Sequence, residues 1–147
     1  MSALIKHSLL LSLLVSLLAA CSPSITPTPT VNIANPNAPQ AGDESLVVNT
    51  VQVVKTEVTS LESSPLQYSL KISFFKPTPC DQFRVVVNQP DVNKQIDIKV
   101  YSLMKKDQVC NLMATLNPTE AVINLVNLSA GHYTVMVNGI NSAELDA

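Results

Sequence analysis

Leu66, Tyr68, Leu70, Ile72 and Phe74 are apolar, while Gln67, Ser69, Lys71 and Ser73 between them are polar. Strict alternation of this kind sorts side chains onto the two faces of a β-strand, whereas the apolar positions of a helix recur every three to four residues. Pro65 stands before the run, and Pro77 and Pro79 stop it. The same period returns in Phe83, Val85 and Val87, in Ile96, Ile98 and Val100, in Ala121, Ile123 and Leu125, and in Tyr133, Val135 and Val137. Asn138-Gly139 is a favoured two-residue hairpin turn that sends the chain back through Asn141 to Asp146. An opening strand, long and bent, is expected within Leu46 to Thr59. Residues 45–147 therefore predict an all-β domain, an antiparallel β-sandwich of about seven strands. Lys105 to Pro118 is the stretch whose pattern is weakest, compatible with a turn of helix or a further strand.

The first 44 residues read differently. Met1 to His7 carry Lys6, and the run from Ser8 to Ala20 is uncharged and dominated by Leu. That run is shorter than the roughly 18–20 apolar residues that span a bilayer and has the length of a signal-peptide core. It ends Leu18-Ala19-Ala20-Cys21, which resembles the lipobox of bacterial lipoproteins. The resemblance implies removal of residues 1–20, a diacylglycerol on the Cys21 thiol and an acylated amine. Two or three chains would then anchor the protein stably, each buried methylene contributing about 0.8 kcal/mol. The protein would sit in the cell membrane or outer membrane, facing away from the cytoplasm. From Ser22 to Glu44 the chain is rich in Pro, Thr, Asn and Ala, with Thr26 to Thr30 alternating Thr and Pro. Residues 21–44 are expected to be a disordered, extended tether carrying the lipid.

Lipidation of Cys21 leaves Cys80 and Cys110 as an even pair outside the cytoplasm. A disulfide between them is expected, the alternative being two buried thiols. Neither cysteine has another within two to four residues, and the only histidine after processing is His132, so a metal site is not expected.

Leu128-Ser129-Ala130-Gly131-His132-Tyr133 resembles the tyrosine corner of immunoglobulin-like domains. There a Tyr at a strand start returns its hydroxyl to the backbone upstream, with Leu128 and Gly131 as companions of Tyr133. More broadly, the Pro79-Cys80 step, Cys110 and the ending from Leu128 through Gly139 resemble small secreted or lipid-anchored bacterial domains of uncharacterised role. This likeness speaks for architecture and carries no activity.

Chemistry is sparse. Charged residues make up 14 % of the chain, its net charge is −2, and it holds three glycines. This composition excludes a polybasic nucleic-acid binder and leaves no glycine-rich phosphate loop. His132 reads as a surface residue on the face opposite Tyr133. Glu57 with Glu62, or Asp91 with Asp97, are the acids a fold could pair. Phe75, Tyr101 and Leu103 are candidates for an exposed apolar patch. No catalytic residue, cofactor or metal is expected. The reading is a non-catalytic binding or structural module, with the membrane as one partner and an envelope protein or glycan as the other. The alternatives are an inhibitor presenting a disulfide-stapled loop and a hydrolase built on two carboxylates.

Overall fold

The structure is a computed structural model that describes residues 30–110 and 117–147. It is all-β, with nine strands among the described residues. They are β1 (Asn32–Ala34), β2 (Val47–Thr50), β3 (Gln52–Leu61), β4 (Gln67–Phe75), β5 (Gln82–Val87), β6 (Gln95–Met104), β7 (Thr119–Val126), β8 (His132–Val137) and β9 (Ile140–Asp146). A single turn of 3-10 helix, Asp43–Ser45, is the one helical element among those residues.

The strands form two sheets. One has the order β1-β7-β4-β3. In the other, β6 is the hub. One of its edges takes β5, and the other takes β8 along Gln95–Ile98 and then β2 along Tyr101–Met104. β9 continues beyond β8. The alternating residues of β4 through β8 face one another across the gap. Leu70, Ile72, Phe74, Ala121, Ile123 and Leu125 from the first sheet meet Val85, Ile96, Ile98, Val100, Val135 and Val137 from the second, all essentially inaccessible. A buried side chain of this size stabilises by about 1.5–3 kcal/mol, so this shared face is the main source of cohesion. Phe74 and Phe83 close one end of the core edge to face, with ring centroids 5.1 Å apart.

Four features differ from the sequence expectation. The long opening strand is two strands in different sheets. Val51, 9 % exposed, lies between them, so the chain crosses from one sheet to the other under a buried valine. Within β3 a bulge between Val53 and Lys55 turns Val54 outward, where it is 54 % exposed, and keeps Val53 and Thr56 in register with Phe74 and Ile72. The sandwich is not wholly antiparallel, because β6 and β8 run parallel. The intervening β7 belongs to the opposite sheet, which brings the chain back to β6 in the same direction.

The fourth difference is the tether. Its second half is part of the body, so the sandwich begins near residue 30 rather than 45. β1 pairs with β7, and Val31 is 7 % exposed within the core. The Val31 backbone is gripped at both ends by one side chain: its N–H donates to Gln89 Oε1 (3.0 Å) and its carbonyl accepts from Gln89 Nε2 (2.9 Å). Asn35 Nδ2 donates to the Val85 carbonyl (2.7 Å), and Val85 N–H donates to the Asn37 carbonyl (2.8 Å). This strap covers the outer edge of β5 while β1 covers that of β7. Residues with little to bury hold on through backbone and amide hydrogen bonds, which composition does not reveal. The strap ends in an ion pair, with Arg84 Nε and Nη2 donating to Asp43 at 2.8 and 2.9 Å. Arg84 is 8 % exposed on the outer face of β5, so the strap supplies the charge a buried guanidinium requires.

Candidate binding groove and the disulfide pole

β5 begins where β6 ends, since Gln82 faces Leu103 in the register. Cys80 and Cys110, just beyond these ends, therefore meet at one pole, with Cα atoms 6.0 Å apart and a disulfide between them. Their separation of 30 residues makes the crosslink worth about 3–4 kcal/mol by restricting the unfolded chain. Beside it, Asp81 is 3 % exposed and acts as a hub. One carboxylate oxygen accepts from Ser102 Oγ (2.7 Å) and Asn49 Nδ2 (3.4 Å), and the other accepts from Thr78 Oγ1. Lys76 donates to the Asp81 carbonyl at 2.5 Å. These bonds join β2, β6 and the loop holding Cys80, so the polar end of the core is structural. The doubtful stretch from Lys105 to Pro118 is partly visible: 105–108 form an exposed turn, and its centre, 111–116, lies outside the described residues.

At the opposite end Tyr133 is 2 % exposed, and its hydroxyl donates to the Ser129 carbonyl (2.9 Å), four residues upstream. Ser129 Oγ lies 2.8 Å from the same hydroxyl. Leu128 packs against the core, and Gly131 has φ 137°, which a side chain would strain. Gly131 and Ala147 exchange two backbone hydrogen bonds, so the corner also ties down β9. Lys94 places its ammonium 5.2 Å from the Tyr133 ring centroid and donates to the Ala130 carbonyl.

The structure engages the candidate catalytic groups otherwise. His132 is exposed; Nδ1 lies 2.7 Å from Asp146 and Nε2 3.5 Å from Glu144, and the hydrogen bond with Asp146 raises its pKa. Glu57 sits between Lys55 (2.7 Å) and Lys71 (3.1 Å), which lower its pKa. Asp91 accepts from the backbone N–H groups of Asn93 and Gln95, both at 2.8 Å, and so shapes a turn. Asp97 accepts from Gln95 Nε2 (3.0 Å), and Glu62 is exposed.

The suggested patch of Phe75, Tyr101 and Leu103 is not one surface. Phe75 belongs to the first sheet, and Leu103 is 1 % exposed. Tyr101 instead lines a shallow groove of about 550 Å³ on the outer face of the second sheet. Val48 and Thr50 of β2 form one bank, Asp97 and Lys99 of β6 continue the floor, and Asn88 and the Asn138-Gly139 turn close the ends. Val48 is 60 % exposed, and the Lys99 ammonium lies 5.8 Å from the Tyr101 ring centroid. The groove arises because β2 and β8 share one edge of β6 without touching end to end. Sequence reasoning missed it: Tyr101 was the visible signal, but its neighbours come from distant strands. Chemically the groove offers one aromatic ring, aliphatic residues Val48, Ile98 and Val100, the Thr50 hydroxyl and planar amides, with one acid and one base.

No groups of three or more His, Cys, Asp or Glu able to hold a metal occur among the described residues. No helix among them is long and apolar enough to cross a membrane. None of the curated proteins and none of the solved structures matches the chain significantly. Residues 70–146, which run from within β4 to the end of β9 and form more than half of the chain, match the ORF11 beta-sandwich domain. With two facing sheets over that stretch, the chain belongs to the ORF11 beta-sandwich domain family.

Proposed function

We propose that this protein is a lipid-anchored, non-catalytic binding module that works on the extracytoplasmic side of the cell envelope. The observation that carries this reading is Leu18-Ala19-Ala20-Cys21 closing an uncharged, Leu-rich run. The placement of the strap refines it. Nine residues, 22–30, separate Cys21 from Val31, which is held in the core. At no more than about 3.5 Å per step, the ten steps from Cys21 keep Val31, and with it the near edge of the sandwich, within roughly 35 Å of the lipid. The module thus works close to the bilayer surface.

Two features support binding over catalysis. His132 is an exposed side chain whose Nδ1 is hydrogen-bonded with Asp146 and whose Nε2 lies 3.5 Å from Glu144, an arrangement suited to a surface ion pair. The disulfide at one pole and the corner at the other stiffen a body that carries an open groove on a sheet face. Mass spectrometry of the native protein tests the anchor: the expected amino terminus is Cys21 carrying a diacylglyceryl group. Cys21→Ala is expected to leave the membrane fraction or to persist as the precursor. An unmodified Cys21 on membrane-associated protein sinks the reading.

A further inference from the structure

We infer that the groove on the outer face of β6 binds a neutral, N-acetylated saccharide; this rests on the extracytoplasmic binding reading above. Its shape and chemistry narrow the ligand. The volume of about 550 Å³ suits one or two sugar rings lying along a sheet face and is open at the surface. Asp97 and Lys99 cancel in charge, so the groove favours neither a phosphate-rich nor a cationic polymer. An acyl chain would press hydrocarbon against the charged Asp97 and Lys99, a desolvation cost that a hydroxyl-bearing ligand avoids.

A pyranose matches the same set. One face of the ring is a patch of C–H groups, which packs on an aromatic ring such as that of Tyr101. The rim is a ring of hydroxyls, which the planar carboxylate of Asp97 and the amide of Asn88 can engage. An acetamido substituent combines a methyl group, which exposed Val48 can pack against, with an amide, which the Thr50 hydroxyl can meet. Lys99 is an exposed side chain over Tyr101 and moves aside at little cost when a sugar takes its place. Asn138 is committed to Val100, which fixes the end wall of the groove before any ligand arrives.

The test is titration of the full-length protein, in a zwitterionic detergent free of sugar groups, with a hexamer of N-acetylglucosamine. A hexamer of glucose and polyglutamate serve as comparisons, and saturation-transfer NMR is the readout. Binding of the acetylated hexamer is expected, with affinity at least tenfold above that of the glucose hexamer. Tyr101→Ala should weaken it at least tenfold, and so should Val48→Asp, which alters a side chain already in solvent. No binding at millimolar acetylated hexamer, equal binding of both hexamers, binding untouched by both variants, or preferential binding of polyglutamate would overturn the assignment. Mass spectrometry of Cys21 is independent of these results, so failure of the ligand and failure of the anchor are told apart.

Discussion

Asn138 completes the edge of β6 with its side chain. Its Oδ1 accepts from the Val100 N–H at 2.8 Å and its Nδ2 donates to the Val100 carbonyl at 3.0 Å, filling the gap between β8 and β2. Gln89 treats Val31 the same way at the strap. In both places a primary amide supplies the donor and acceptor that a neighbouring strand would offer. Asn138 also has φ 51° in a turn that needs positive φ at both central residues, and Gly139 follows with φ 80°. Asn138→Ala should therefore lower the free energy of unfolding by about 2–3 kcal/mol, from two lost hydrogen bonds and a strained backbone. Asn138→Gly, which relieves only the strain, should recover about 1 kcal/mol of that loss. Urea denaturation of the two variants distinguishes the contributions, and equal losses would contradict the assignment.

The strap makes a second prediction. A chain starting at Ser45 lacks Val31, whose burial alone stabilises by about 1.5–3 kcal/mol, and leaves Arg84 buried without Asp43. It also bares the edges of β5 and β7, which invite pairing with other chains. A fragment starting at Thr30 should unfold at higher urea than one starting at Ser45 and should remain monomeric in sedimentation when the shorter one associates.

Thr56 points from β3 toward the core, and its buried hydroxyl has no hydrogen-bond partner among the described residues. A hydroxyl removed from water without a partner costs free energy, and valine has nearly the same shape. Thr56→Val should raise the free energy of unfolding by about 1 kcal/mol. Thermal melts of the purified variant read this directly; a loss of stability would mean that the hydroxyl is satisfied.

The pH response should have two arms. The hydrogen bond with Asp146 raises the pKa of His132, so its stabilising contribution is complete below about 6.5 and fades as pH rises through the raised value. The hydrogen bonds from Arg84 lower the pKa of Asp43, so its contribution is complete above 3.8 and is lost as pH falls through the lowered value. His132→Gln should reduce the alkaline arm alone and Asp43→Asn the acid arm alone, the acid arm keeping the share that Glu57 contributes through Lys55 and Lys71. Stability measured across pH with each variant checks the signs. The alkaline effect will be small and sensitive to salt, because His132 and Asp146 are largely in solvent.

Replacing both Cys80 and Cys110 by Ala should cost about 3–4 kcal/mol, a large part of the margin of a small domain. The effect is expected in the melting temperature and not in the far-ultraviolet dichroism of the folded state. The pole is also held by the Asp81 hydrogen bonds, which survive the substitution. A change in melting temperature of less than a few degrees would assign the crosslink no role in stability.

The sequence alone determined which residues face the core along β4 to β8, because alternation is local: each side chain's face follows from its neighbour's. It also marked the Asn138-Gly139 turn and the Leu128-to-Tyr133 corner, whose partners lie within a few residues. The tertiary structure alone decided the rest. Val51 divides one strand between two sheets, β8 lies parallel to β6, and a Pro- and Asn-rich stretch with no apolar period becomes a strap. Leu103, outward by alternation, is buried, and Tyr101 acquires a groove from residues as distant in the chain as Val48 before it and Asn138 after it. Each of these outcomes depends on where an edge or a face comes to rest after the sheets have assembled. Hydrogen bonds between distant backbone and amide groups have no period in the chain, so only the folded body reveals them.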